Sequence, residues 1–281
     1  MSTSATPNTE RSPEAERAGL AWQLGIWDQI PQLYAREVDK RFAPVVEQVI
    51  ARAILRPGQR VLDLGTGTGS VAIRAASLVA PGGQILGVDL SSEMLAVARQ
   101  RVAALGLDHC RFREGRGEAI PADAEAFDVL LASLSLMYVI DRAAAAREVA
   151  RVLRPGGRFV AAVWAGPEQC DLVLLQQTAG RFAPPPPVPG VGPGALADPT
   201  PFLAQLADAG INAAVETAVL DFDFENFALA WDVMARVTTS QLAPERQQEA
   251  KAAVLAAMWP QGDGPRHFRN ATHFIVGQRT P

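Results

Sequence analysis

Lysine, cysteine and histidine are all scarce in this 281-residue chain, which has two lysines (Lys40 and Lys251) among 26 basic residues, two cysteines and three histidines. Each shortage removes a class of chemistry. Cys110 and Cys170 stand in unrelated contexts, so neither a disulfide framework nor a metal site is expected. The formal net charge of -4 comes without a basic stripe, which argues against nucleic acid as a partner. No apolar run approaches the roughly 18 residues of a membrane span, so none is expected. Residues 1–19 are polar, rich in Ser, Thr, Pro and Glu, and lack an apolar core segment. They read as a disordered tail and not as a signal peptide, which makes a soluble cytoplasmic protein the expectation. The near-total reliance on arginine for positive charge reads as genome composition, not function.

With 48% hydrophobic residues the chain can bury a large core. Four stretches differ in pattern. Residues 20–56 read as a helical cap, with Val45, Val46, Val49, Ile50, Ile54 and Leu55 along one face of an amphipathic helix. Residues 57–165 alternate strands with helices, the pattern of parallel strands joined by crossovers. Within them Asp141 is the expected N-cap of a helix that Arg154-Pro155-Gly156 stops. Residues 183–201 hold Pro184-Pro185-Pro186-Pro187 and further prolines amid glycine, an irregular connection too long for a simple turn. Residues 202–281 resume with a helix over 202–209, a strand over 215–224, helices to about Met258 and a last strand over 273–278.

The most informative stretch is Val61-Leu62-Asp63-Leu64-Gly65-Thr66-Gly67-Thr68-Gly69, an apolar strand running into a glycine-rich turn that opens a helix over 70–79. Backbone can approach a ligand closely at such a turn, and the first N–H groups of the helix point outward. A dinucleotide fingerprint would place its third glycine one residue later. Asp63 also adds a fixed carboxylate that would repel a pyrophosphate, so the expected ligand carries a cation near it. A second strand, 84–89, ends in Asp89 about 24 residues after Gly65, close to the roughly 20 expected of a ribose-binding carboxylate.

The pattern D-x-G-x-G-x-G resembles motif I of the class I S-adenosylmethionine-dependent methyltransferases. Further matches follow in order: Asp89, a strand over 126–133, and a helix ending in Arg151-Val152-Leu153-Arg154-Pro155-Gly156-Gly157 before a strand over 158–164. The wording of residues 127–157 is similar to the ubiquinone/menaquinone-biosynthesis type of small-molecule methyltransferase, and the resemblance covers roughly residues 55–165. It implies an α/β fold, a Rossmann-like seven-stranded, mostly parallel sheet with helices on both faces. The N-terminal helices would occupy 20–56 and the methyltransferase domain 57–281. The last two strands would form an antiparallel hairpin, with a helical lid at about 225–270 inserted before the last strand.

The same resemblance implies S-adenosylmethionine as cofactor and assigns contacts to it. Gly65, Thr66 and Gly67 would pack against its methionine part, with Asp63 near the ammonium. Asp89 would take the ribose hydroxyls. Leu90 and Met94 would pack against adenine, although Met94 fits ordinary helix packing equally well. Ser133, at the carboxyl end of the fourth strand, would also touch the cofactor. Trp27 and Tyr34 sit in a segment where relatives place a tyrosine that closes over it; an aromatic pair anchoring the N-terminal helix is the alternative.

One position departs from the family. Relatives read G-D-A-E-x-L-P after the third strand, where the aspartate accepts from the adenine amino group, and this chain reads Gly115-Arg116-Gly117-Glu118-Ala119-Ile120-Pro121. Arginine has no acceptor. A backbone carbonyl or Glu118 would substitute, or adenine would be held by packing and the Gly117 N–H, with Arg116 stacked on the ring; weaker cofactor binding is expected. None of His109, His267 and His273 is assigned as a base, and only His267 falls in the expected lid. Segment 134–140, Trp164, Phe222, Phe224, Phe227, Trp231, Met234 and Trp259 either line an apolar acceptor pocket or form core. The implied activity is O- or C-methylation of a small, hydrophobic acceptor, with catalytic residues unassigned, no metal, no membrane and an open oligomeric state. A binding protein that no longer methylates, cyclase-like or regulatory, is the alternative; an NAD-dependent oxidoreductase would need a Tyr-x-x-x-Lys pair, which is missing.

Overall fold

The computed structural model describes residues 12–281. Seven strands, β1 (Arg60–Leu64), β2 (Gln84–Asp89), β3 (Cys110–Glu114), β4 (Phe127–Ser133), β5 (Leu153–Trp164), β6 (Ile211–Phe224) and β7 (Arg266–Arg279), form one sheet in the order β3-β2-β1-β4-β5-β7-β6. Strands β1 to β5 pair in parallel, and β7 is antiparallel to both of its neighbours. This is the Rossmann-like sheet with a terminal hairpin that the motifs imply. Val61, Leu62, Val129, Leu130, Leu131 and Ala132 are all buried, as continuous apolar runs must be when helices cover both faces.

The N-terminal region comprises α1 (Pro13–Trp27), α2 (Pro31–Leu33), a π-helical turn (Tyr34–Val38) and α3 (Asp39–Ala53). The helical cap therefore starts well before residue 20. Ser12 caps α1 by accepting from the Ala15 N–H, and Pro13 suits the first helical position, so 13–19 are helix and not tail. Residues 1–11 of the expected tail lie outside the described residues. α3 buries Val45, Val46, Val49 and Ile50 as the spacing predicts, but Ile54 adopts a left-handed conformation (φ 52°) and is 57% exposed, ending the helix instead of extending its apolar face.

The crossovers α4 (Ser70–Val79), α5 (Ser92–Ala104) and α6 (Arg142–Val152) join the parallel strands. Asp141 caps α6 by accepting from the Ala144 N–H at 2.9 Å. Beyond β5 come α7 (Asp171–Gly180), the proline-rich connection and α8 (Thr200–Asp208), which stops before Gly210 at φ +85°. Among the described residues no helix is long and apolar enough to cross a membrane.

The hairpin is longer than expected. β6 and β7 pair from Ile211↔Arg279 to Phe224↔Arg266, whereas β5 reaches only from Gln278 to Thr272 of β7, so the ribbon overshoots the sheet. The lid accordingly spans 225–265, with α9 (Phe227–Ala230), a second π-helical turn (Trp231–Ala235), α10 (Arg236–Thr239) and α11 (Pro244–Met258). Phe268 anchors it, with ring centroids 5.0 Å from Phe224, 5.7 Å from Phe222 and 5.8 Å from Trp259. Phe268→Ala is expected to lower the unfolding free energy by about 3–5 kcal/mol in urea titrations. Val219→Ala, on the same ribbon but 48% exposed, should change it by less than about 0.5 kcal/mol.

Candidate functional site

Strand β1 lies between β2 and β4, so the connections leaving β1 and β4 diverge and a crevice opens at their carboxyl ends. A cavity enclosing about 810 Å³ of free space, mouth included, occupies that place. Of the residues singled out in the sequence, Tyr34, Gly65, Gly67, Asp89, Leu90, Met94, Arg116, Gly117 and Ser133 line it. Asp63 and Thr66 do not.

The floor is backbone. The N–H groups of Gly65 and Thr66 donate to the Val88 carbonyl at 2.7 and 3.0 Å, which ties the turn to the end of β2. At Gly65 (φ +70°) a Cβ would overlap that of Ser135, and its absence lets the Ser135 hydroxyl donate to the Leu64 carbonyl at 2.7 Å. Gly67 (φ +53°) has no atom within 4 Å of where its Cβ would stand, so the wall is open there.

Asp63 faces inward, against the expectation that it meets a ligand ammonium. Its Oδ2 accepts from the Thr66 hydroxyl at 2.6 Å and from the Ala72 N–H at 3.1 Å, fastening the turn to the start of α4. Thr66 is thereby also committed to the turn. The other Asp63 oxygen is buried without a partner. Burial pushes the carboxyl up to about 7, against the two hydrogen bonds that favour its charged form.

Asp89 is the carboxylate presented to the cavity. Its Oδ2 accepts from the Gly67 N–H at 2.8 Å and its Oδ1 from the Ser91 N–H at 3.0 Å. Burial raises its pKa, these bonds lower it and Asp28 adds a smaller upward push. Ser91 caps α5 by accepting from the Met94 N–H, and its hydroxyl donates to Asp28 Oδ1 at 2.6 Å. Asp39 locks the outer side of the turn, accepting from the Thr68 hydroxyl and from Arg101, each at 2.7 Å.

The roof is α1 and the turn after it. Trp27 packs edge to face on Tyr34 (6.3 Å) and Tyr138 (5.0 Å), and Gln23 donates to the Tyr138 carbonyl at 3.0 Å. Arg116 pairs with Glu16, so its guanidinium fastens α1 to the loop after β3. Glu118 Oε1 accepts from the N–H groups of Ile140 (2.8 Å) and Asp141 (3.1 Å). Leu20, Gln23 and Ser135 also line the cavity, and no motif marks them.

The histidines lie elsewhere. His109 bonds the Ala76 carbonyl, His273 lies between Thr217 and the Ala197 carbonyl, and His267 sits on β7 against Asp221 and Asp223. The candidate acceptor residues divide: Leu134, Ser135, Tyr138 and Val139 line the cavity. Trp164, Phe222, Phe224, Phe227, Trp231, Met234 and Trp259 are buried core.

Two variants test this geometry. Gly65→Ala combines the overlap with a left-handed backbone and should cost about 2–4 kcal/mol of stability by chemical denaturation. Because the folded pKa of Asp63 lies above its unfolded value, the folded state holds the extra proton between about pH 4 and 7, and stability falls as pH rises through that window. Asp63→Asn should remove a slope of about 1.4 kcal/mol per pH unit there, read as the difference between wild-type and variant denaturation curves.

A family model described as a methyltransferase domain matches residues 55–178. An uncharacterized protein of Mycobacterium tuberculosis is 34% identical over 159 residues, 57% of this chain and 54% of its own. Nocamycin O-methyltransferase of Saccharothrix syringae is 34% identical over 134 residues, 48% of each chain. Demethylmenaquinone methyltransferase of Bacillus cytotoxicus is 34% identical over 106 residues, 38% of this chain and 45% of its own. The chain thus spans about half the length of the curated relatives it matches. The solved YcgJ protein of Bacillus subtilis shares the fold, with a TM-score of 0.61 at 21% identity over 84% of this chain and 98% of that one. The glycine turn and the acid closing β2 fall within the matched segment, so residues 55–178 are similar to a methyltransferase domain, set in a sheet of the same order as its solved neighbours' fold.

Proposed function

We propose that the protein transfers the methyl group of S-adenosylmethionine to a small, mainly hydrophobic acceptor, at oxygen or carbon. The observation that carries this reading is the Asp89 carboxylate, held by two backbone N–H groups at the end of β2 and presented to a cavity with an aromatic far wall.

The residues fit the cofactor. Asp89 would accept from the ribose hydroxyls, and the open wall at Gly67 leaves room for the methionine part. Leu90 and Met94 would offer adenine an apolar surface, and Gly117 lines the same cavity. Arg116 has no acceptor for the adenine amino group and leaves it to other residues, while its own guanidinium pairs with Glu16. Asp63 acts behind the turn, by holding Thr66 and the start of α4 in place.

When bound, the cofactor supplies a methyl carbon already activated by a sulfonium. The chain's own contribution is alignment and the exclusion of water, and in well-oriented cases proximity supplies about 7–11 kcal/mol. Trp27 and Tyr34 close the cavity from the α1 side. Leu134, Ser135, Tyr138 and Val139 form the wall beyond β4, and the acceptor would lie against them.

Calorimetric titration with S-adenosylhomocysteine tests the cofactor half. Asp89→Asn should raise the dissociation constant about 10- to 100-fold, since each charge-assisted hydrogen bond contributes about 1.5–3 kcal/mol. Unchanged affinity would overturn the assignment. Product mass spectrometry with phenol, quinone and carbon-nucleophile acceptors tests the transfer itself.

A further inference from the structure

The acceptor side of the cavity carries hydrogen-bond donors that the protein leaves unused. Trp27, Tyr34 and Tyr138 line it. Neither phenol hydroxyl nor the indole N–H has a partner among the described residues, yet none of the three is a sealed orphan like Asp63 Oδ1. Buried tyrosine and tryptophan normally find a partner for these groups. All three are part-buried and line the cavity, so a bound ligand can take the bonds that water otherwise makes.

The titration state of these donors is fixed by their surroundings. Burial raises the pKa of both phenols, and Tyr34 is pushed further by Asp39, Tyr138 and Asp89. At neutral pH both are protonated, so each can donate to an anion and neither can take a proton from an acceptor.

The other charged groups on the wall are committed. Asp89 holds Gly67 and Ser91, Glu118 holds Ile140 and Asp141, and Arg116 holds Glu16. No histidine, lysine or cysteine is among the residues lining the cavity. Space is also divided. Ser133 closes β4 and Asp89 closes β2 with β1 between them, which separates the two strand ends by about 10 Å, and Tyr138 follows on the turn after β4. Asp89 acts on Tyr34, whereas burial alone raises Tyr138, so Tyr138 is the phenol on which no carboxylate bears.

We infer that the acceptor presents an oxygen already ionised in solution, a carboxylate or the acidic enol of a 1,3-dicarbonyl, and that Tyr138, flanked by Trp27 and Tyr34, holds this oxyanion at the β4 side of the cavity. The inference rests on the methyl-transfer reading above. The oxyanion lone pair forms the new O–C bond to the methyl carbon as the C–S bond breaks with its electron pair left on sulfur. The negative charge on oxygen and the positive charge on sulfur cancel, no proton moves, and no general base is required.

Calorimetry on the full chain saturated with S-adenosylhomocysteine tests it with matched probes: 2-naphthoate against 2-naphthamide, and dimedone against 3,3-dimethylcyclohexanone. The ionised member of at least one pair should bind about tenfold more tightly, and the pair that responds distinguishes a carboxylate from an enolate source. Tyr138→Phe keeps the ring and its packing on Trp27, so it should abolish most of that preference through the hydroxyl alone. Equal binding of both members in both pairs, no binding of any probe, or a preference untouched by Tyr138→Phe would overturn the inference while leaving the cofactor reading intact. Failure of S-adenosylhomocysteine itself to bind would overturn both.

Discussion

The closeness of Gly65 to Ser135 is the constraint on which the rest of the site depends. With no side chain at Gly65, the chain leaving β4 can come near enough for the Ser135 hydroxyl to reach the Leu64 carbonyl. The next two N–H groups then bond the Val88 carbonyl, so the ends of β1, β2 and β4 are joined in one small knot. Only with that knot in place does the Gly67 N–H point at Asp89 and fix its carboxylate. Asp63 fastens α4 from beneath, and Asp39 with Arg101 joins α3 and α5 to the outer side of the turn.

Floor and roof are therefore held by different kinds of force. The floor uses short backbone hydrogen bonds inside a parallel sheet whose strands are buried, and it cannot move without breaking several at once. The roof uses side chains: Gln23 on the Tyr138 carbonyl, Ser91 on Asp28, and the half-exposed pair Arg116–Glu16. Such a pair contributes at most about 1 kcal/mol. Opening α1 costs far less than disturbing the turn, which places the low-stability part of the structure over the cavity mouth, where ligand exchange needs it.

Local features were legible in the sequence because each is written within a few residues. The strand 84–89, the helix 70–79 and the Asp141 cap match the structure, since alternation, glycine placement and capping chemistry act over one turn or less. Long-range choices were not. Nothing near Arg116 announces that its partner is Glu16, about 100 residues away in a stretch whose composition reads as tail. Asp63 has the spacing of a ligand-facing acid, but Thr66 and Ala72 compete for the same oxygen and win. The lid aromatics have one composition whether they line a pocket or pack on each other, and only the register Phe222↔Phe268 decides for packing. The early start of β7 is hidden for the same reason. His267 and Arg269 look like loop until Asp221 and Asp223 are placed opposite them on β6.

The segment matched by the methyltransferase-domain model and the parts that shape the roof of the cavity do not coincide. Residues 55–178 contain the glycine turn, Asp89, Ser133 and Tyr138, which is the whole floor and one wall. Leu20, Gln23, Trp27 and Tyr34 lie upstream of it, and the lid lies downstream. A change in α1 can therefore reshape the roof without touching the knot that orients Asp89, because the two are joined only through side chains. The reverse does not hold. Any substitution that moves Gly65 or Ser135 shifts β4, and with it Tyr138 and the ring of Trp27 that rests on it. Variation in the shape of the cavity is thus confined by the packing to the roof and the far wall, while the turn has to stay as it is in any chain that keeps this cavity.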